Sequence, residues 1–402
     1  MGKFHSYIAS AATLIGSYNA GKPFSLHAKD FFSSNRKYGS RDRKAISSLC
    51  YAYFRLGKAC KDLPVEGRMC YGLFLSESKP NELLHFFYPH LDEKSGLHID
   101  EKMNLLHIDV DEVFPYAGFL SEQLDARLYI TSFFRQPKLF IRTRPGRKQA
   151  VMDKLDQAAI SYACIGNDCL ELENSVSADK LINLNRDAVI QDANSQHVLD
   201  FLQAFPGFLQ AGTNMKAWDC CAASGGKSIL LYDRLKGNVQ LTVSDIRENI
   251  LVNLRNRLRQ AGINIYRCFR ADLSLASGLQ PGEKFNLIIC DVPCSGSGTW
   301  SRTPEQLCYF EVGKISDYKS LQQQVVSNAL PHLQTGGLFF YITCSVFCEE
   351  NEQVVSFMLS RFPDLELMRS GYLPGYEMAA DTMFVAVLRK KDEALTKAEP
   401  VL

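Results

Sequence analysis

The stretch Phe285-Asn286-Leu287-Ile288-Ile289-Cys290-Asp291-Val292-Pro293-Cys294-Ser295-Gly296-Ser297-Gly298 decides how this chain is read. The run Phe285 to Cys290 is apolar and bounded by a turn, the pattern of a buried strand. An acid, a proline and a thiol therefore emerge together at that strand's carboxyl end. In open α/β sheets that is where ligands bind. A second apolar run, Leu338 to Ile342, ends likewise in Thr343-Cys344-Ser345. Two cysteines placed alike at the ends of two expected strands suggest sulfur chemistry.

Working outward from there, strand and helix patterns alternate from about residue 186 onward, which argues a doubly wound parallel sheet. Strands are expected at Ala217 to Cys221, Gln240 to Ser244, Ile265 to Phe269, Phe285 to Cys290, Leu338 to Ile342 and Met383 to Leu388. Helices fit Lys227 to Arg234, Arg247 to Ala261, Tyr318 to Leu333 and Glu350 to Arg361, with Gly336-Gly337 as the turn into the fifth strand. The tail after Lys390 is polar and expected to fray.

The first of these strands runs into Ala222-Ala223-Ser224-Gly225-Gly226-Lys227-Ser228. Small residues let the backbone approach a ligand, and helix-start amides favour anionic or polar groups. A nucleotide P-loop is excluded, because that pattern needs a glycine where Cys221 stands. The next strand ends in Asp245, where a carboxylate can accept the hydroxyls of a ribose, and the third is followed by Asp272, which could face an adenine amine. A glycine loop and two acids at three successive strand ends point to an adenosine-containing cofactor. Any one acid alone would more often be a helix cap. Asp291, Cys294 and Cys344 then stand beside that cofactor. A nucleophilic cysteine wants electropositive or helix-start neighbours, here Lys227, whereas Cys220, Cys221, Cys268 and Cys290 read as inert core thiols.

Composition sets outer bounds. With 402 residues the chain has room for two or three domains, and its 46% hydrophobic and 22% charged content is that of a soluble globular protein. The net charge of +1 conceals an asymmetry: residues 1 to 60 carry ten Lys or Arg against Asp30 and Asp42. A basic excess gathered in one region is the footprint of a surface that meets a phosphate backbone, though a solvated positive face gives the same count. The thirteen cysteines are an odd number without CxxC pairs, and the eight histidines show no metal-ligand spacing. Reduced thiols in a cytoplasmic enzyme without a metal site fit better than a disulfide framework. No apolar run approaches the length of a membrane span.

The first hundred residues have helical periodicity. Ile8, Ala11, Ala12 and Ile15 suit a first helix, and Ile46, Leu49, Cys50, Tyr53 and Phe54 share one face of another after the basic turn Tyr38 to Arg43. Residues 106 to 185 look mixed. Leu139 to Arg144 reads as a strand, Pro145-Gly146 as a turn, and Lys148 to Ala159 as a helix with Val151, Leu155 and Ala158 inward. Between residues 125 and 156 there are eight basic residues against three acids, which suits a small nucleic-acid platform or the charged face of an ordinary α+β module.

Taken together, Asp219-Cys220-Cys221-Ala222-Ala223-Ser224-Gly225-Gly226-Lys227, Asp291 to Gly298, Thr343-Cys344-Ser345 and Glu349-Glu350-Asn351-Glu352 resemble the RNA cytosine 5-methyltransferases related to bacterial RsmB and RsmF and the eukaryotic NSUN enzymes. Val189 to Gln196 resembles the segment that precedes their catalytic domain. The resemblance covers about residues 186 to 390. It implies a class I methyltransferase with S-adenosylmethionine as cofactor and a covalent mechanism. Cys344 matches the cysteine that attacks carbon 6 of cytosine, and Cys294 the one that releases the product. Asp291 and Lys227 match residues that hold the base. The cofactor would be held by Cys221, Ala222, Ala223, Ser224, Gly225, Gly226, Lys227, Asp245, Asp272 and Asp291, with Asp245 at the ribose and Asp272 at the adenine. Departures occur at Ser224, where the family usually has proline, at Ile250, where many members have a basic residue, and at Ala380-Asp381-Thr382-Met383-Phe384, which is less glycine-rich. Ser40-Arg41-Asp42-Arg43 and the helix to Arg55 resemble part of a shortened NusB-like RNA-binding domain.

The expectation is thus an α/β protein: a basic helical domain over 1–105, an RNA-contacting α+β module over 106–185, a Rossmann-like methyltransferase domain over 186–390 and a polar tail over 391–402. It is expected to be a monomer acting on RNA, ribosomal RNA first, with no metal and no membrane. An RNA-binding assembly factor that keeps the fold without turnover is the alternative. Retention of both Cys294 and Cys344 favours the enzyme, since binding needs neither thiol.

Overall fold

The structure, a computed structural model, describes residues 2–206, 215–275 and 283–391. It divides into two compact units, one of residues 1–137 with 299–312, the other of residues 138–298 with 313–402. The expected boundaries at 105 and 185 are therefore not where compactness changes. Residues 106–137 group with the N-terminal helices, and so does the segment Thr299–Val312.

In the larger unit, seven strands form one sheet in the order β10-β11-β9-β8-β5-β6-β7. These are β5 (Lys216–Asp219), β6 (Gln240–Asp245), β7 (Tyr266–Arg270), β8 (Phe285–Asp291), β9 (Leu333–Thr343), β10 (Leu365–Leu373) and β11 (Met383–Lys390). β5 to β9 pair in parallel, and β11 and β10 add antiparallel strands at one edge. Successive side chains point to opposite faces. Leu287, Ile289, Leu338, Phe340 and Ile342 accordingly enter one apolar layer with the helices Gly226–Arg234 and Glu248–Gln260. Ile288, Cys290, Phe339 and Tyr341 enter the other with Gly313–Ala329 and Glu352–Arg361. Both faces are covered, which is why these strands read as unbroken apolar runs.

Three expectations about this sheet are corrected. The sequence pattern predicts no strand at β10. The helix expected over Tyr318–Leu333 runs instead from Gly313 to Ala329, with a short 3₁₀ turn over Leu330–His332 that contains Pro331, a residue that cannot donate to a helical ladder. Leu333 is already paired with Phe285, so Gly336-Gly337 lies within β9, at an irregularity where the partner of Leu287 is Leu338.

A second sheet, β2-β3-β1-β4, is antiparallel and belongs to the same unit. It comprises β1 (Leu139–Thr143), β2 (Tyr162–Ile165), β3 (Cys169–Leu172) and β4 (Ala188–Ile190). The helix Lys148–Gln157 buries Val151 and Leu155 against it, but Ala158 is exposed, because the helix has ended and Ala159 turns left-handed at φ 52°. Two arginines fasten this module to the helix Gly226–Arg234 that covers the large sheet: Arg142 Nη1 and Arg144 Nη2 reach the two oxygens of Asp233 at 2.6 and 2.7 Å. Asn185 adds bonds to Gln260 (2.7 Å) and from Arg257 (2.9 Å).

The smaller unit is helical, with Lys3–Gly16, Phe24–Ser34, Ser40–Arg55 and Val65–Ser76 among its elements. Ser40–Arg55 and Val65–Ser76 meet backbone to backbone: a Cβ on Gly72 would lie 1.9 Å from the Ala52 carbonyl oxygen. Buried Arg55 donates to the carbonyls of Phe133, Arg135 and Ser301, gathering three segments of the unit. Of the ten basic residues counted in residues 1 to 60, all but Arg55 and Lys58 are exposed. Among the described residues no helix is long and apolar enough to cross a membrane.

The buried Asp233 pairs allow a direct test. Replacing Asp233 with Ala strands two arginine charges and is expected to lower the stability of the larger unit by about 3–5 kcal/mol. Urea unfolding followed through Trp218, buried in β5, measures it. A midpoint equal to that of the wild type would show that the pairs contribute nothing.

Candidate active site

The carboxyl ends of β5, β6, β7 and β8 open onto a cavity of about 380 Å³. Of the residues expected at the cofactor, Cys221, Ala223, Asp245, Asp272 and Asp291 line it, as do Cys294 and Cys344. Ala222, Ser224, Gly225, Gly226 and Lys227 do not; the first four shape the turn behind it. Ala222 N donates to Ser244 O at 2.8 Å, Gly225 N returns to Ala222 O at 2.8 Å, and Gly225 caps the helix Gly226–Arg234 at φ 83°. Ser224, in place of the family's proline, is held from outside, with Arg257 Nη1 at 2.5 Å from its Oγ and 3.0 Å from its carbonyl oxygen. Cys221, read as an inert core thiol, instead forms part of the cavity wall, with Cys220 also contributing.

Asp245 is the most firmly set of the acids. Its Oδ2 accepts from Ala223 N at 3.0 Å, and its Oδ1 accepts from Arg247 N at 2.9 Å and Arg247 Nε at 3.0 Å. Burial opposes its ionisation, but the Arg247 bonds outweigh this and hold its carboxyl below the usual range. Arg247 thus supplies a cation three residues before Ile250 and also lines the cavity. Asp272 Oδ1 accepts from Ser274 N (3.0 Å) and Ser274 Oγ (2.6 Å), orienting that acid at the cavity. Leu321 and Val325 add apolar surface from the helix Gly313–Ala329, which the sequence did not assign to the site. Carboxylates at the expected ribose and adenine positions, an apolar wall and a small-residue turn fit an adenosine-containing group.

At the far side of the cavity the two sulfurs meet. Cys294 Sγ and Cys344 Sγ are 3.3 Å apart, and both residues are free cysteines. Lys227 Nζ bonds Asp291 Oδ2 at 2.6 Å beside them. Burial works against the Lys227 charge, but Asp291 and Cys344 outweigh it and raise its pKa. The Cys294 thiol is pushed well up by its bond to Cys344 and by burial. Gly298 pins the arrangement: its N donates to Cys344 O at 2.8 Å and its O accepts from Thr382 N at 2.9 Å. A Cβ there would fall 2.1 Å from Thr382 O, so the altered Ala380–Phe384 segment still supplies the backbone that fixes this loop.

A second hollow of about 590 Å³ is lined by Arg144, Arg147, Arg186, Lys236 and Arg259 and holds neither cysteine. It lies where the helices Gly226–Arg234 and Glu248–Gln260 end, and cations there complement the helix dipoles. Among the described residues no group of three or more His, Cys, Asp or Glu could hold a metal ion.

Residues 207–390 match the family model described as 16S rRNA methyltransferase RsmB/F. The chain is 31% identical over 238 residues to ribosomal RNA small subunit methyltransferase B of Citrobacter koseri, covering 56% of this chain and 52% of that protein. It is 31% identical over 215 residues to the Escherichia coli K12 protein of the same name, covering 50% and 47%. The chain thus spans about half the length of the curated relatives it matches. Among solved structures it shares the fold of PH0851, with a TM-score of 0.71 at 17% identity over 96% of this chain and 98% of that one. It also shares the fold of NSun6 from Pyrococcus horikoshii with SFG, with a TM-score of 0.58 at 14% identity over 69% and 97%.

One acid at this site makes stability depend on pH. Burial raises the Asp219 carboxyl to about 7, opposed by a bond from Ser228 and assisted by Asp291. The folded protein then holds that proton more tightly than the unfolded chain, so this group costs stability as pH rises from the ordinary carboxylate range through 7. In Asp219→Asn the fall in melting temperature between pH 5 and pH 8 is expected to shrink. An unaltered fall would mean that Asp219 ionises freely in the folded state.

Proposed function

We propose that residues 207–390, which match the family model described as 16S rRNA methyltransferase RsmB/F, make this chain an enzyme that methylates carbon 5 of a cytosine in ribosomal RNA with S-adenosylmethionine as methyl donor. The observation that carries the reading is the pair of sulfurs 3.3 Å apart, which with Asp291 of the Lys227–Asp291 ion pair line a cavity suited to an adenosine-containing group. Simple RNA binding has no use for two adjoining thiols.

In this reading Asp245 takes the ribose hydroxyls, Asp272 the adenine amine, and Leu321 and Val325 the ring faces. When bound, S-adenosylmethionine supplies an electrophilic methyl group. The target cytosine leaves its stack to reach the pocket, and the Lys227–Asp291 pair holds its polar edge. Cys344 adds to carbon 6, and the electron pair of the carbon 5–carbon 6 bond moves to carbon 5, eased by hydrogen bonding to the ring. As Cys344 adds, Cys294 gives its proton to the ring nitrogen. Once carbon 5 carries the methyl group, the Cys294 thiolate takes the carbon 5 proton and the freed pair re-forms the carbon 5–carbon 6 double bond. The Cys344–carbon 6 bond breaks with its electron pair returning to Cys344, and the ring nitrogen loses its proton to water. The exposed lysines and arginines of the N-terminal helices supply charge for the phosphate backbone.

The deciding experiment incubates the protein with labelled S-adenosylmethionine and ribosomal RNA, followed by nucleoside analysis. The expected product is 5-methylcytosine, and its absence while the cofactor binds would remove the catalytic reading. Cys344→Ala is expected to abolish product, and Cys294→Ala to leave protein covalently attached to RNA. Full activity without Cys344, or no adduct without Cys294, would reverse or dismiss the assigned roles. Asp245→Ala should weaken cofactor binding by about ten- to a hundred-fold by calorimetry; wild-type affinity would place the ribose elsewhere.

A further inference from the structure

Behind the two sulfurs lies a polar cluster that the steps above do not use. Glu350, fully buried, occupies the 3₁₀ turn Cys348–Glu350 that follows β9, ahead of the helix beginning at Glu352, whereas the expected helix began at Glu350 itself. Its Oε2 accepts from Ser295 N at 2.9 Å and from Gln322 Nε2 at 2.9 Å, and its Oε1 accepts from Ser345 Oγ at 2.7 Å. All three partners donate, which suits an acceptor-only carboxylate. Ser295 follows Cys294 and Ser345 follows Cys344, so a single side chain grips the neighbour of each cysteine. Gln322 extends the grip to Pro293 O at 3.1 Å, on the other side of Cys294. Tyr341 O–H donates to the Glu350 carbonyl at 2.6 Å and fixes the turn itself.

Burying a carboxylate costs more than filling the same space with an apolar side chain, so its retention calls for a use beyond stability. The charges around the sulfurs suggest one. Burial raises the Glu350 carboxyl above its usual range, opposed by the bonds from Ser295, Ser345 and Gln322. Once ionised, its charge disfavours a thiolate at Cys294, while the Lys227 ammonium interacts with Cys344. The other titratable groups nearby are Asp291, paired with Lys227, the buried Asp219 beside that pair, and the phenols of Tyr318 and Tyr341, both held neutral chiefly by burial.

We propose that Glu350 is a positioning residue of the two-cysteine site: it holds the Cys294 and Cys344 loops at their working separation and keeps Cys294 the less reactive thiol of the pair. The inference rests on the methyltransferase reading for its purpose, but its physical content is tested without turnover. The reduced full chain is treated with limiting iodoacetamide, and the two cysteines are quantified separately by mass spectrometry of their peptides. In the wild type Cys344 is expected to be modified faster than Cys294. Glu350→Gln keeps the shape and removes the charge, and the ratio of the two rates is expected to fall about ten-fold. With RNA as substrate, the same variant should lose about ten- to a hundred-fold in kcat with little change in KM.

Ser345→Ala, which loses only the bond to Oε1, should move both readouts in the same direction by less, and it serves if Glu350→Gln does not fold. An unchanged ratio in a folded Glu350→Gln protein overturns the proposal, as does an effect on KM alone. A wild-type protein that methylates no RNA would sink the functional reading, while the alkylation ratio would still decide this one.

Discussion

Two sulfur atoms can sit 3.3 Å apart only if the loops that carry them are held against each other, and the parallel pairing of β8 with β9 does that. Asp291 is in register with Ile342, and Val292 N still donates to Ile342 O at 3.1 Å. The strands therefore release their chains side by side, with Cys294 three residues past the pairing and Cys344 two. Everything else at the site is referred to this pair of strands. β5 lies on the other side of β8 and carries the turn that begins the helix of Lys227, so the lysine and Asp291 meet across neighbouring strand ends. Asp245 and Asp272 lie farther along the same edge, at the ends of β6 and β7.

Much of this was legible because parallel strands covered on both faces must be apolar throughout, and such runs announce their own ends. Asp245, Asp272, Asp291, Cys294 and Cys344 all lie within four residues of the ends of four such runs, and the cavity lining contains all five. β10 escaped for the converse reason. It is an edge strand, and Glu366, Leu367, Met368, Arg369 and Ser370 give no clean alternation, with a register shift between Leu367 and Arg369. Nor does any compositional break mark Thr299–Val312, which follows Gly298 directly yet belongs to the helical unit, where Trp300 and Leu307 are buried. Their apolar character is visible in sequence, but the core they join is not.

The same distinction explains which site residues were missed. Arg247, Gln322 and Glu350 act through three-dimensional proximity to residues 2, 29 and 55 positions away, at Asp245, Pro293 and Ser295. Glu350 stood in a quoted motif, but an acid at an expected helix start reads as a contribution to the helix dipole, and periodicity cannot tell that from a buried acceptor.

Several polar groups are buried at this end of the sheet. Asp219 Oδ1 and Gln322 Oε1 are buried without a partner, and Asp219, Lys227 and Glu350 are ionisable groups largely or wholly withdrawn from water. Unsatisfied groups of this kind cost free energy, and native proteins keep them where function requires a polar interior. The middle of the same strands shows the contrast. Ile288, Ile289, Phe339 and Phe340 are all fully buried in two apolar layers, and that burial offsets the cost incurred at the carboxyl ends. The sheet can therefore hold a polar site at one end because its centre needs none. A substitution that introduced a charge into that centre would remove the surplus on which the site depends.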